Sequence, residues 1–481
     1  MRHVRVYDTL RRETRLLVPI TSPKVGLFVC GVTPYDEAHI GHAKLSVTFD
    51  VVARALRRWG YRVFYVQNVT NLDDRLIARG AREGIDPLQL AERHFRHWIH
   101  AMARLGATAV NYYPHATDYL PEIVAQIQAL VDRGFAYTSE GSVYYEVAKF
   151  PSYGQLSGQR TDALRPGARV EVDSSKHAPE DFVVWKATTP GEPSWESPWG
   201  PGRPGWHIED TAISARLMGA RYDLHGGGVD LKFPHHEAEI AQAEAATGEA
   251  PLVNYWMHVG LLTMHGEKMS KSLGNVVGLE ETLDEFGPEV LRFYYLNAHY
   301  RSPLDYVQGK SLEEAREAYA TLASSARRLS EARASAAETG GDDLPEELVQ
   351  GATDTVERLD GLLADDFRTR EGIAELFGWG RRVGPYLDRL GTHSADAIDQ
   401  LALPYSWGRE VLGLFGPPAP AGGLSALPSV VDVAIEARRR ARTRGDFAEA
   451  DRIRDDLAKA GVHLEDRGDA TGWRVDPEGP R

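Results

Sequence analysis

Residues 26–67 have the sequence GLFVCGVTPYDEAHIGHAKLSVTFDVVARALRRWGYRVFYVQ. The first five residues are a short apolar run followed by turn residues, which is typical of a buried strand. A helix is predicted next, because four apolar residues share one helical face and Gly60 can end the helix. The four are Leu45, Phe49, Val52 and Leu56. Residues 61–67 predict a second strand, so the segment forms a βαβ unit and indicates a parallel sheet.

Outside this unit, the pattern changes several times along the chain. Residues 84–133 are helical in pattern, whereas residues 134–200 are rich in Gly, Pro and Ser and are interpreted as an insertion. Residues 221–265 return to alternating strand and helix around a triple glycine. Residues 310–415 are almost entirely amphipathic helix. A Gly/Pro/Ala-rich stretch beginning at Gly416 predicts a linker to a small terminal unit.

Composition restricts the class of protein. The 481 residues are 42% hydrophobic and 26% charged, which is ordinary for a globular chain of roughly three domains. The net charge of −14 argues against a surface that binds nucleic acid everywhere, although a local basic face remains possible. Since no apolar run approaches the roughly 20 residues of a membrane span, and the N-terminus lacks a signal-peptide pattern, we expect a cytoplasmic protein without membrane attachment.

The cysteine count limits the metal chemistry. Cys30 is the single cysteine, so an intramolecular disulfide and a zinc site made of several cysteines are both excluded. A lone cysteine is most often a small buried apolar residue. Its position at the end of the first predicted strand leaves a role as a ligand open.

The first chemical motif is His39-Ile40-Gly41-His42, at the junction between the loop and the predicted helix. A helix N-terminus offers unpaired N–H groups and a partial positive charge, which suit a phosphate. Gly41 allows a ligand close to the backbone, and the two imidazoles can donate to phosphate oxygens. By itself the motif could also be a metal-binding pair or two surface histidines.

The second motif is Lys268-Met269-Ser270-Lys271-Ser272. Two lysines on a loop can neutralise the charge that develops on an α-phosphate during transfer of an adenylate group. Taken alone, the segment could equally be a solvated basic loop.

Together the two motifs resemble the paired signature of the class I aminoacyl-tRNA synthetases. Within that class, residues 28–31, 202–209 and 233–239 are similar to the cysteinyl enzymes, and the resemblance covers essentially the whole chain. It implies activation of L-cysteine with ATP and Mg²⁺, and transfer of the cysteinyl group from its adenylate to the 3′ end of tRNA(Cys). It also implies a monomer.

The resemblance implies an α/β fold with several parts. A Rossmann-type parallel-sheet catalytic domain with an insertion precedes a helical-bundle domain on the anticodon side and a small C-terminal module. The predicted boundaries are 1–133 and 201–262 for the catalytic domain, 134–200 for the connective insertion, 263–310 for the signature-loop region that contacts the tRNA stem, 311–415 for the helical domain, 416–427 for the linker and 428–481 for the tRNA-binding module.

A zinc site follows from the resemblance. Its ligands would be Cys30, Asp210, His235 and Glu239. His235 and Glu239 are four residues apart and share one helical face. The family usually has a second cysteine at position 210, where this chain has aspartate. Aspartate can bind zinc at about 2.0–2.2 Å, so the site either survives with a harder ligand set or is lost because Asp210 faces away.

Zinc would explain how the enzyme selects cysteine over serine. A pocket alone discriminates weakly between near-isosteres, but zinc binds a thiolate tightly and binds a protonated hydroxyl poorly. The insertion is only about 65 residues long, too short for the large editing domains of related synthetases. Selection by a metal would make editing unnecessary.

The other implied site residues fall into four groups. Charge on the reacting phosphate would be stabilised by His39, His42, Lys268 and Lys271. ATP and the adenylate would be bound by Gly41, His225, Gly227, Asp230 and Lys271. Cysteine would be bound by Cys30, Gly31, Thr70 and Trp206, although Trp206 could instead be a core residue. Near Thr70 the chain has Asn71 where the family more often has aspartate.

The terminal module contains a local cluster of positive charge. The residues expected to contact tRNA are Arg438, Arg439, Arg440, Arg442, Arg444 and Trp473. Arginines suit phosphate contacts and an aromatic side chain can stack on an unpaired base. The alternative is an ordinary solvated helix face with core aromatic residues.

Two other functions fit parts of the sequence. The segment from Cys30 to Tyr35 is also similar to cysteine ligases that act on an amino sugar in the synthesis of low-molecular-weight thiols, but those enzymes lack the terminal basic module. A non-catalytic tRNA-binding paralogue is the third hypothesis, and the intact signatures argue against it.

Overall fold

The computed structural model describes residues 1–159, 174–269, 274–335, 344–387, 394–416, 435, 438–439, 441–442, 446–459, 462–467 and 470–475. These residues belong to two compact units, Met1–Phe415 and Gly416–Arg481. Within the described residues, none of the helices has both the length and the apolar character needed to cross a bilayer.

The first unit contains strands and helices in alternation, followed by helices alone. Its strands are β1 (Arg5–Asp8), β2 (Glu13–Leu16), β3 (Lys24–Val32), β4 (Arg62–Val69), β5 (Ala136–Ser139), β6 (Ser142–Tyr145), β7 (Phe182–Ala187), β8 (Gly202–Pro204), β9 (Tyr222–Gly228), β10 (Val253–Val259), β11 (Leu262–Met264), β12 (Glu267–Lys268) and β13 (Leu304–Tyr306). Its α-helices are α1 (Ile40–Arg58), α2 (Asp74–Glu83), α3 (Pro87–Arg104), α4 (Leu120–Asp132), α5 (Ile208–Met218), α6 (His235–Thr247), α7 (Leu279–Phe286), α8 (Pro288–Leu296), α9 (Ser311–Ser335), α10 (Glu346–Ala364), α11 (Thr369–Leu387) and α12 (Ala395–Trp407).

The βαβ unit predicted from residues 26–67 is present as β3, α1 and β4. Helix α1 begins five residues earlier than its apolar pattern, because His39 caps it: the His39 Nδ1 accepts a hydrogen bond of 3.1 Å from the Gly41 N–H. The helix ends at Arg58 with Trp59 as its C-cap, and Gly60 follows with a φ of 89°, a conformation that favours glycine.

The predicted parallel sheet is confirmed. Its order is β10-β9-β3-β4, and every neighbouring pair is parallel. Leu27 is fully buried and lies in register with Leu224 of β9 and Tyr65 of β4. Because the strands are parallel, their carboxyl ends meet at one edge, where ligands of open α/β sheets bind.

The predicted insertion contains a second sheet, whose apolar cluster also includes residues of α4, α5 and α6. The antiparallel order is β5-β6-β7-β8, and Trp185 and Tyr145 are fully buried within it. The sheet continues beyond residue 200, because Arg203 of β8 pairs with Lys186 of β7. The sheet of the insertion therefore includes β8, which lies in the segment predicted to belong to the catalytic domain.

The helices from α9 to α12 share one core with the catalytic sheet. Phe293, Tyr319 and Trp379 belong to the same apolar cluster as Leu27 of β3. Asp360 of α10 also joins the parts, since its Oδ1 accepts hydrogen bonds from the indole N–H groups of Trp59 (3.0 Å) and Trp407 (2.8 Å). These contacts make residues 1–415 one unit.

A buried ion pair fastens α1 to the end of this unit. Arg292 of α8 is 1% exposed, and its guanidinium donates to the Asp50 carboxylate at 2.7 Å and to the backbone carbonyls of Leu412 and Leu105. Leu412 belongs to a π-helical turn, Gly408–Leu412.

We expect Arg292→Met to lower the free energy of unfolding by about 3–5 kcal/mol, because it leaves a buried carboxylate short of a partner. Urea denaturation of full-length protein measures the loss. The matched control is Arg5→Met, since Arg5 pairs with Asp365 at 3.3 Å on the surface and should contribute less than about 1 kcal/mol. Equal losses in the two variants would contradict the prediction.

The second unit, described by itself, contains a helix and a hairpin. Helix α13 (Phe447–Lys459) precedes strands β14 (Val462–Arg467) and β15 (Ala470–Val475). The strands are antiparallel, with Leu464 opposite Trp473. This arrangement agrees with the small terminal unit that the sequence predicts.

Candidate active site and metal centre

A cavity of about 490 Å³ lies at the carboxyl ends of the parallel strands. It is lined by residues from both motifs and from the predicted cysteine and adenylate sites. These are Cys30, Gly31, His39, Gly41, His42, Trp206, Asp230 and Lys268. Lys271 lies outside the described residues. The fold therefore brings together segments that are more than 200 residues apart in sequence.

The two histidines of the first motif stack at the start of α1. Their ring centroids are 3.7 Å apart and the ring planes differ by 25°. His39 is buried and caps the helix, whereas His42 is exposed. Both imidazoles therefore lie at the positive end of a long helix, which suits contact with phosphate oxygens.

Lys268 and Asp230 form an ion pair at the cavity. The Lys268 ammonium contacts the Asp230 carboxylate, and the two side chains are 53% and 33% exposed. Lys268 ends the short strand β12, and Asp230 follows the triple glycine. A charge pair this exposed is weak, so either group can exchange its partner for a ligand.

A buried cluster surrounds Cys30. The Cys30 Sγ lies 3.4 Å from Asp210 Oδ2 and 3.7 Å from Glu239 Oε1. His235 Nε2 lies 3.0 Å from each of these two carboxylates. Cys30 is near the end of β3, Asp210 is in the first turn of α5, and the other two start α6, so three elements converge on one point.

The electrostatics of the cluster suit a divalent cation. Burial, followed by Glu239 and Asp210, raises the pKa of the Cys30 thiol well above its usual value. Burial also raises the pKa of Glu239 to about 7. Burial alone would lower the pKa of His235, but Glu239 and Asp210 overcome it and raise that pKa to about 10. Within the described part of the chain, Glu239 Oε2 has no hydrogen-bond partner.

The side chains of the Cys30 cluster are suitable ligands for a metal ion. A thiol and two carboxylates converge in a buried cluster, an arrangement that costs free energy unless positive charge compensates it. Sulfur, imidazole and carboxylate are together the ligands of zinc and related ions. Asp210 faces the cluster, and its Oδ1 accepts a hydrogen bond from the Asn68 side chain. Position 210 therefore keeps a donor atom, although aspartate stands there in place of a second cysteine.

Two histidines that the sequence did not assign to the metal also contact Cys30. His225 Nε2 and His236 Nε2 lie 3.3 Å and 3.1 Å from the Sγ, so a second set of donors shares Cys30 and Glu239. His236 continues through His258 to Thr9, with hydrogen bonds of 2.8 Å and 2.9 Å. The adjacent histidines His235 and His236 could have indicated this role in the sequence. Neighbouring side chains on a helix point about 100° apart, however, so the two rings were not expected to face the same point.

His225 and Gly227 have different surroundings from those that the sequence predicts. His225 is fully buried beside Cys30, and its Nδ1 is 2.6 Å from the Tyr222 hydroxyl, so its side chain faces the cluster rather than an adenosine. A Cβ on Gly227 would lie 2.5 Å from the His236 ring. Packing against His236 is therefore the physical reason for that glycine.

The predicted cysteine-binding residues surround the cluster. Trp206 is 41% exposed and stacks on His235 at 4.5 Å, so it is a wall of the cavity and not a core residue. Thr70 is buried, and its hydroxyl donates to the Glu209 carboxylate. A Cβ on Gly31 would lie 1.6 Å from the Asn68 carbonyl oxygen, so this position requires glycine.

The predicted tRNA contacts lie in the second unit. Arg439 and Arg442 are exposed, whereas Arg438 is 5% exposed and is less available to a partner. Arg440 and Arg444 are outside the described residues. Trp473 lies on β15, and its side chain is also outside the described part.

Lys44 is a residue of the cavity wall that sequence analysis missed. It is 2% exposed, and its Nζ donates to the carbonyl oxygens of Gly260 (2.6 Å) and Ser302 (2.9 Å). Burial lowers its pKa to about 8. It therefore ties the signature helix to the turn after β10, which also lines the cavity.

We expect the stability of the wild type to rise relative to Lys44→Met between about pH 8 and pH 10.5. In this window the unfolded lysine still binds the proton that the folded lysine has lost, so the free energy of unfolding rises by up to about 1.4 kcal/mol per pH unit. The Tm as a function of pH measures the difference. Exposed Lys310 provides the control, Lys310→Met, which should follow the wild type. If the curves of Tm against pH for Lys44→Met and the wild type are parallel, the pKa of Lys44 is not lowered.

The chain matches two protein-family models and resembles a solved structure. Residues 16–317 match the family model of the class I (C) tRNA synthetase catalytic domain, and residues 424–474 match the cysteinyl-tRNA ligase anticodon binding domain. The fold resembles methionyl-tRNA synthetase of Mycobacterium tuberculosis in complex with methionyl-adenylate, with a TM-score of 0.61 over 81% of this chain and 92% of that one. At 15% identity, this likeness concerns the fold alone.

Two relatives with more than 40% identity to this chain are both cysteine–tRNA ligases. The cysteine–tRNA ligase of Thermoplasma acidophilum is 42% identical over 98% of this chain and 100% of its own length. That of Methylococcus capsulatus is 44% identical over 98% and 99%. These full-length matches confirm the family and the fold class that the sequence predicts, and they do not favour the amino-sugar ligase. The chain therefore belongs to the cysteine–tRNA ligases, within the class I aminoacyl-tRNA synthetases.

Proposed function

We propose that this protein activates L-cysteine with ATP and transfers the cysteinyl group to the 3′ end of tRNA(Cys). The observation that carries the proposal is the position of the Cys30 cluster, which adjoins the cavity lined by His39, His42 and Lys268. A site for a thiol and a site for a phosphate would thus share one cavity. Family membership supports the same reaction.

The cluster is proposed to hold zinc through Cys30, Asp210, His235 and Glu239. A zinc ion bound there would supply a soft ligand position that prefers a thiolate to a hydroxyl. Trp206 stacks on His235 and would limit the size of a side chain that reaches the cluster. The network around Asp210, through Asn68, would hold the harder ligand in position.

The chemical step needs positioning and charge stabilisation rather than a side-chain nucleophile. The cysteine carboxylate oxygen forms a bond to the α-phosphorus of Mg²⁺-bound ATP as the bond to the bridging oxygen breaks and pyrophosphate leaves. His39 and His42 would donate to the phosphate oxygens, and Lys268 with Lys271 would neutralise the developing charge. Asp230, which contacts Lys268 and lines the cavity, would accept hydrogen bonds from ribose hydroxyls.

Transfer to tRNA would use the second unit. Its exposed Arg439 and Arg442, together with Arg440 and Arg444, suit contacts to the phosphates of the anticodon arm. Trp473 would stack on a base. We expect the enzyme to act as a monomer in the cytoplasm, where aminoacyl-tRNA is used.

ATP–pyrophosphate exchange tests the first step. Exchange should depend on cysteine, and serine should support it at a rate lower by a factor of about 10³ or more, which corresponds to about 4 kcal/mol. Elemental analysis of the same preparation should find about one zinc ion per chain. An enzyme that contains no divalent ion at the cluster and still rejects serine would refute the metal part of the proposal. A lack of exchange with cysteine would refute the activity itself.

A further inference from the structure

A second group of metal-ligating side chains lies beside the cavity, and one of its members, His94, lines it. It consists of Glu37, His94 and His97, whose ligand atoms all lie within 4.8 Å of one another. Glu37 is on the loop between β3 and the signature histidines, and the two histidines are on α3. The group shares no residue with the Cys30 cluster and has no part in the reaction described above.

The geometry of the group suits chelation. His94 Nδ1 and His97 Nδ1 lie 3.1 Å and 2.9 Å from the same oxygen, Glu37 Oε1. Two ligand atoms that are each about 2.0–2.2 Å from one ion are themselves about 3–3.5 Å apart, so small movements of the side chains would admit an ion. Helix α3 fixes the spacing, because residues three apart lie on one face.

The local fold holds this arrangement in place. Asp86 caps α3 by accepting from the N–H groups of Leu88 and Gln89, which sets the start of the helix. Arg79 binds the Asp36 carboxylate at 2.6 Å, which fixes the loop immediately before Glu37. The ligands are therefore presented by a fixed helix and a fastened loop.

One ligand of the group is buried and the other two are open to solvent. His94 is 5% exposed, and among the described residues its Nε2 has no hydrogen-bond partner. Glu37 and His97 are each 53% exposed, so an ion can reach the group from solvent.

We propose that Glu37, His94 and His97 form a second divalent-metal site that binds borderline ions of the class Zn²⁺, Co²⁺ and Ni²⁺. Two imidazoles and one carboxylate are the ligands that this class of ion prefers, and they leave positions for water. The bound ion joins the loop that contains Glu37 to α3. Because His94 and the loop residues Asp36 and Ala38 line the cavity, the ion acts on the wall of the nucleotide site.

The test uses full-length enzyme that retains its resident metal. Co²⁺ is titrated into it, and bound cobalt is measured by equilibrium dialysis together with visible absorption. The expected result is one further equivalent per chain with ligand-field bands alone, since this site contains no sulfur. Cobalt that had replaced the ion at Cys30 would instead show thiolate-to-metal charge transfer, and that result would overturn the proposal.

Variants assign the second equivalent to residues. His97→Ala should weaken its binding at least tenfold, and Glu37→Gln should do the same without removing a ring. The matched control is His100→Ala, an exposed histidine on the same helix outside the group, which should bind cobalt like the wild type. If the holoenzyme binds no further cobalt, or if His97→Ala and Glu37→Gln bind it as well as the wild type, there is no such site.

Discussion

Cys30→Ala is expected to lower kcat/KM for cysteine-dependent pyrophosphate exchange by about 10³-fold or more, equivalent to about 4 kcal/mol. Cys30 is the sulfur donor common to both donor sets of the buried cluster. Its removal leaves two carboxylates and the histidines without the ligand that favours a soft ion, so both the metal and the contact to the substrate sulfur should be lost. The exchange rate and the zinc content of the variant are measured together.

The control for Cys30→Ala separates loss of the site from loss of the fold. The variant should keep its ability to bind ATP and should unfold in the same transitions as the wild type, because alanine leaves only a small cavity at that position. A variant with wild-type exchange and wild-type discrimination against serine would exclude Cys30 from cysteine recognition. Loss of exchange without loss of zinc would place its role outside metal binding.

Removal of residues 416–481 is expected to separate the two steps of the reaction. These residues form a compact unit distinct from residues 1–415, so pyrophosphate exchange should remain within about twofold of wild type. Charging of tRNA should fall in kcat/KM by about 100-fold or more, equivalent to about 2.7 kcal/mol, because the exposed arginines are lost. Both rates are measured on the same truncated protein.

Point variants in the second unit refine this experiment. The double variant Arg439→Ala/Arg442→Ala should weaken tRNA charging and reduce its dependence on salt, since each phosphate contact contributes to that dependence. Arg438→Ala is the comparison, because Arg438 is buried and should act mainly on the stability of the unit. Unchanged charging by the truncated enzyme would show that this unit does not contact tRNA productively.

Local pattern was sufficient to predict the catalytic sheet. The apolar run at residues 26–30 and the spacing of apolar residues in α1 have short-range causes, namely burial of a strand and of one helix face. The start of α1 was predicted at the His39–His42 motif, and the structure begins the helix at Ile40 with His39 as its cap, although the apolar pattern alone starts five residues later at Leu45. Cap geometry depends on side-chain orientation, which spacing does not specify.

The candidate site depends on long-range contacts, which limited its prediction. The resemblance supplied Asp210, His235 and Glu239, and the structure places these residues around Cys30. His236 and Lys44 were not predicted, because their roles arise only when α6 and α1 pack against β3 and the turn at Gly260. For the same reason residues 311–415 were treated as a separate domain, although the buried contact between Asp360 and Trp59 joins them to the end of α1.

The buried ion pair between Asp50 and Arg292 couples α1 mechanically to the end of the helical bundle. Asp50 is in the middle of the helix whose first turn contains the signature histidines, and Arg292 fastens that point to the last turn of the bundle. A tilt of the bundle would therefore act on the middle of α1, and the stacked imidazoles lie in the first turn of the same helix. Changes far from the cavity, such as strain from a bound polynucleotide, would reach the signature histidines through α1.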